Sequence, residues 1–198
     1  MQDGGTMLRE LKDKEKVLKH WQSILPTYAE LQLESASKVD ELLAVGCLDR
    51  RLKHLPNQLR ELVEDARILR VGEPDGLLVE ERAQLFNSIP SVEHACQRLN
   101  DFGGPETLHN DDFHDANIFI GERGPRFFDW GEACVAHSLF SLEIVFRILR
   151  YQFYLEPDAP ELSKIEGDRV LQLTAKPRLK SCTISIKLCD VTFVTHSL

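Results

Sequence analysis

Long uninterrupted apolar runs are missing from this chain. The greasiest stretch, LFSLEIVFRIL at 139–149, is broken by Glu143 and Arg147, which excludes a bilayer-spanning segment there. The N-terminus MQDGGTMLRELKDK lacks the apolar core of a secretion signal. Basic charge is also short: 24 Lys and Arg stand against 32 Asp and Glu. A net charge of -8 disfavours a nucleic-acid backbone or an anionic membrane surface, so neither is expected as a partner. The cysteines, Cys47, Cys96, Cys134, Cys182 and Cys189, are odd in number and hold no pair at zinc-knuckle spacing. That pattern argues against a disulfide framework and makes a reducing cytoplasm the expected setting. Solenoid-period repeats and low-complexity tracts are absent.

What is present suits one main domain with room for a small appendage, since 198 residues can bury a sizeable core. Leu8, Leu11, Val17, Leu18, Trp21 and Leu25 recur at helical spacing up to Pro26. A second helix is expected from Thr27 to Val45, closed by Gly46 in a left-handed cap. A third starts at Pro56, and residues 78–101 give two more stretches divided at Pro90. Everything before residue 105 therefore reads as helical. NIFI at 117–120 and RFFD at 126–129, joined by the turn-forming GERGP, predict a β-hairpin. Helical spacing returns from Ser138 to Leu155. Beyond Gly167 the chain gains Ser, Thr and Cys and shows strand-like alternation in TISIKL, so residues 167–198 are expected to form a divergent, poorly packed tail.

The chemistry concentrates at 109–131. Phosphoryl transfer asks for one carboxylate to orient and deprotonate an acceptor hydroxyl, and for oxygen ligands that hold Mg²⁺ on the nucleotide phosphates. In NDDFHDANIFI, Asp112 precedes Asn117 by five positions, the spacing between catalytic Asp and Mg²⁺-binding Asn in the kinase loop. The hairpin's far strand ends in Asp129, within FFDWGEA, which would return a second carboxylate beside Asn117. Asp129, Trp130 and Gly131 stand where a DFG motif would.

On these residues the chain resembles the aminoglycoside phosphotransferase family, whose members carry HGDLHPGN followed by IDWG or FDWG on a protein-kinase-like fold. The resemblance implies Asp112 as catalytic base, Asn117 and Asp129 as Mg²⁺ ligands, and His114 as a loop-stabilising residue, with Asn110, Trp130 and Gly131 in support. It implies ATP as co-substrate and a small-molecule hydroxyl as acceptor. The implied fold is α+β and predominantly helical: residues 1–166 form the C-terminal lobe of a protein-kinase-like fold, with a short hairpin at the site. The sequence departs from the family in three places. The family's loop histidine falls on Asn110, with His109 displaced by one. His137, Ser138 and Ser141 replace a DPAYDLA-like segment. Finally, no glycine-rich phosphate loop or lysine-bearing strand precedes the first helix, so the N-terminal nucleotide lobe is expected to be missing and the chain truncated.

Plainer roles are assigned to several neighbours. Asp111 and Asp115 read as a solvated acidic turn, Trp130 as a packed aromatic, and Cys134 as unreactive for want of a cationic activator. Phe127 and Phe128 should place one ring inward and one outward. Two other functions stand beside the phosphotransferase. One is a non-catalytic remnant or binding module of the same fold. The other is an HD-type metal phosphohydrolase using His114 and Asp115 with His94 and Asp129.

Overall fold

Residues 5–165 are described in the structure, a computed structural model. The alternation in TISIKL and the boundary expected near residue 167 lie outside these residues. The described chain is α+β, mostly helical, with two small sheets.

A short strand, β1 (Thr6–Met7), and a 3-10 turn over Leu8–Glu10 precede the first helix, so the apolar spacing at Leu8 and Leu11 belongs to this entry segment. Helix α1 (Lys14–Ser35) starts at Asp13, whose carboxylate accepts a hydrogen bond from the Lys16 N–H at 2.9 Å. Pro26 does not end it, contrary to the expectation of two helices. The proline costs one backbone bond. However, Trp21, Ile24 and Leu25 before it and Tyr28, Ala29 and Gln32 after it are all buried on one face. Burying both halves of that face outweighs one missing donor. Helix α2 (Val39–Ala44) follows a 3-10 turn, and Gly46 takes the left-handed φ of 100° that closes it.

Strand β2 (Leu48–Arg50) leads to α3 (Leu55–Glu64), which has Pro56 in its first turn. Helix α4 (Val79–Phe102) also runs through its proline, Pro90, where a division was expected. Ile89 is its one fully buried residue, while Pro90 faces solvent. Gly103, at φ 86°, ends the helix. Strands β3 (Glu106–His109), β4 (Ile118–Gly121), β5 (Gly124–Phe127) and β6 (Cys134–His137) follow, then helix α5 (Phe140–Phe153). Tyr154 caps α5 in the left-handed region, and residues 160–165 are again helical.

One sheet has the order β1-β4-β5, all antiparallel, with Ile118 opposite Phe127 in the predicted hairpin. Ladder pairing stops at Phe127, two residues short of the expected end at Asp129. The second sheet has the order β2-β6-β3, with β2 parallel and β3 antiparallel to β6. Two of the strands, β1 and β2, fall in the region expected to be wholly helical. Their two and three residues are too few to leave a periodic signal.

The core forms where the buried face of α1 meets Leu142, Val145 and Leu149 of α5, closed by Leu8, Ile118, Leu162 and Ile165. Phe113 is part of this cluster, so the loop between β3 and β4 is anchored directly in the core.

Candidate active site

Phe113 is 1 % exposed and sits inside a cage of rings. Tyr28 of α1 stacks on it at 3.9 Å between centroids, with Trp21 edge-on at 5.8 Å and Phe127 at 5.7 Å. An aromatic side chain in such a cage holds its own backbone still. The residues on either side of it, Asp112 and His114, thereby become fixed points facing outward.

Asp112 is approached from three directions. Asn117 donates from Nδ2 to the Asp112 carbonyl and to its Oδ2, both at 3.0 Å. His114 places Nε2 3.2 Å from Asp112 Oδ1. Its Nδ1 accepts from the Ala116 N–H at 3.1 Å, so in the neutral ring the proton sits on Nε2 and points at the carboxylate. The Asp112 N–H donates to Asn110 Oδ1 at 2.9 Å. The side chain of Asp112 remains 48 % exposed, so its carboxylate is both oriented and reachable.

Asn110 is buried and spans the site. Its N–H donates to the Tyr28 hydroxyl at 2.9 Å, and its Nδ2 donates to the Phe128 carbonyl at 3.1 Å. Where the resembled family has histidine, this chain ties the loop to the segment before Asp129 with an amide. A second tie runs from the Phe128 N–H to the Asn117 carbonyl at 2.9 Å. Asp129 follows directly, solvent-exposed and in the left-handed region at φ 54°. It thus stands in a turn beyond the hairpin rather than on the strand itself, one residue after the Phe128 N–H that bonds to Asn117. Trp130 donates from Nε1 to the Phe127 carbonyl at 3.1 Å and packs against the core. Gly131 stays close, since a Cβ there would stand 3.7 Å from Asp129 Oδ1.

The contacts of Asn117's side chain use its amide nitrogen, leaving its amide oxygen for a further partner. That oxygen and the Asp129 carboxylate are both hard oxygen donors, the kind Mg²⁺ takes while keeping water and phosphate oxygens in its remaining positions. In donor chemistry, these residues suit the metal that the resemblance implies.

Asp111 and Asp115 do not form the free acidic turn expected of them: both are ion-paired, and Asp115 is also buried. Arg50 of β2 pairs with Asp111 through Nη1. Arg9, from the turn after β1, pairs with Asp115 at 2.9 Å, and the Asp115 side chain is only 8 % exposed. Both arginines are far from the loop in sequence, so no local pattern pointed to them. His109 lies 3.7 Å from Asp111, and burial lowers its pKa to about 4. Burial likewise lowers His137 to about 4 and pushes the Cys134 thiol up to about 12. Cys134 is thus held as an inert thiol.

Phe127 turns inward to Tyr28 and Phe113, while Phe128 is 44 % exposed and meets Phe119 edge to face at 5.0 Å. This outward aromatic pair brackets the two candidate ligands, two residues after Asn117 and one before Asp129. Sequence reading missed Phe119. Only its place in the strand register, opposite Arg126, reveals the face it occupies.

The phosphohydrolase set does not assemble. Asp115 is taken by Arg9, His114 faces Asp112, and His94 lies exposed on α4. Among the described residues no three His, Cys, Asp or Glu side chains are grouped to hold a metal ion, and no helix is long and apolar enough to cross a membrane. No protein-family model matches the chain, and no curated protein matches it either.

Proposed function

We propose that this chain is a phosphotransferase of the aminoglycoside-phosphotransferase kind, passing the γ-phosphoryl group of ATP to a hydroxyl of a small molecule. The observation that carries this reading is the link between Asp112 and Asn117: the amide nitrogen of Asn117 grips the aspartate, and its oxygen is left for a cation. Asp112 orients the acceptor hydroxyl and takes its proton as the phosphoryl group leaves the nucleotide. Asn117 and Asp129 would hold Mg²⁺, which when bound draws charge from the phosphate oxygens. Phe128, exposed and braced edge to face by the half-buried Phe119, offers an aromatic surface beside those ligands, suited to a planar base.

Calorimetry with ATP and Mg²⁺, alongside a phosphate-transfer assay over a panel of hydroxylated amines and alcohols, tests the reading. Binding with turnover is expected. Binding without turnover on any acceptor would favour the non-catalytic binding module, and absence of both would end the proposal. Asp112→Asn should remove turnover by a factor of about 10² or more, with the melting transition unchanged. Retention of rate would take Asp112 out of the base role.

A further inference from the structure

We propose that Arg50 is an electrostatic positioning residue for the anionic co-substrate, cancelling Asp111 so that the nucleotide phosphates approach a loop less crowded with negative charge. The inference rests on the phosphotransferase reading. Asp111 immediately precedes Asp112, and its carboxylate, if uncompensated, would repel the phosphates arriving beside it. Asp115 poses the same problem and is neutralised by Arg9 at 2.9 Å. For Asp111 the other nearby group is His109 at 3.7 Å, which burial keeps uncharged at neutral pH, so the compensation falls to Arg50.

The guanidinium is delivered from a fixed position. Arg50 is in register with Ala136 of the wholly buried strand β6. The residues beside it are tied together, with Arg51 gripping Asp49 through Nε at 2.8 Å and Nη2 at 2.6 Å. The Arg50 and Asp111 side chains remain 38 % and 30 % exposed, so the pair faces the solvent from which a nucleotide arrives. A purely mechanical tie between β2 and the loop would use the same contact, and the two roles predict different results.

The test compares Arg50→Gln, Asp111→Asn and the double variant for Mg·ATP affinity by calorimetry, at low salt and at about 0.5 M salt, where screening acts within about 5 Å. At low salt Arg50→Gln should weaken binding roughly tenfold, Asp111→Asn should leave it unchanged or tighter, and the double variant should return near wild type. High salt should narrow the gap. If Asp111→Asn weakens binding as much as Arg50→Gln, and the double variant gives no recovery, the contact is a clamp and the proposal is wrong. Should Arg50→Gln fail to fold, Arg50→Lys serves instead: affinity kept supports the charge role, and affinity lost overturns it. Wild-type protein that does not bind Mg·ATP at all would sink the phosphotransferase reading and this inference with it. Binding without the charge pattern would sink only the inference.

Discussion

Asn110 shows how much one buried amide can organise. At 1 % exposure it accepts from the Asp112 N–H and donates to the Phe128 carbonyl, while its own N–H meets Tyr28. Asn110→Ala would strip partners from one donor and one acceptor in a part-buried setting, at a cost of about 2–4 kcal/mol. Urea denaturation should show that loss, and a variant within about 0.5 kcal/mol of wild type would refute it. The same change should impair the site, because the amide is one of two ties between the loop and the segment leading to Asp129. The spacing of Asp112, Asn117 and Asp129 was readable because type and interval lie within one short stretch. Asn110's work was not, since its partners are set by which carbonyl the turn after β5 presents.

Among the elements, the two prolines within helices make the point that local rules yield to burial. Pro26 interrupts the backbone ladder of α1 at a partly exposed position, while the residues around it are locked into the core. Pro26→Ala would restore a donor to the Gln22 carbonyl and remove the clash of the ring with that turn. The helix should gain about 1–2 kcal/mol, less than the full interior penalty because the native backbone has already adapted. A raised melting temperature without loss of the fold is the expected outcome, and a lowered one would mean that the bend itself is needed for packing. Local rules divide α1 and α4 at these prolines, whereas each is one continuous helix. Strand β6 escaped notice for a different reason: CVAH is buried at all four positions, so it carries no alternation to detect. The hairpin was visible because GERGP announces its turn.

Across the whole molecule, acid weakens the fold. His109 and His137 are both buried, and burial holds each near a pKa of about 4 against 6.5 for the free side chain. Between those values the unfolded chain binds protons that the folded one refuses, so stability falls as pH drops from about 6.5 to about 4 and levels off below for these two groups. The loss is on the order of 3 kcal/mol per histidine. Asp49 acts lower: its hydrogen bond to Arg51 holds it at about 2, and its contribution disappears as pH falls from about 3.8 towards that value. Chemical denaturation from pH 7 to pH 4 should show the slope, and His137→Gln should reduce it by about half. An unchanged slope in that variant would remove His137 from the account. Arg50 and Arg9 belong to this scale as well. Their partners lie 61 and 106 residues away, and only the folded chain brings opposite charges to the loop.

The pairing of α3 with α4 carries a consequence for how the protein breathes. Val63 and Ile89 are the one fully buried residue of each helix, and only the last turns of α4, through Leu99 and Phe102, reach the main core. Such a pair can come apart while α1 and α5 stay folded, which makes it a separate cooperative unit with its own, smaller opening free energy. Native-state hydrogen exchange should release the amides of 55–64 and 79–95 well before those of α1. If both groups exchanged together at the global rate, the molecule would open only as a whole.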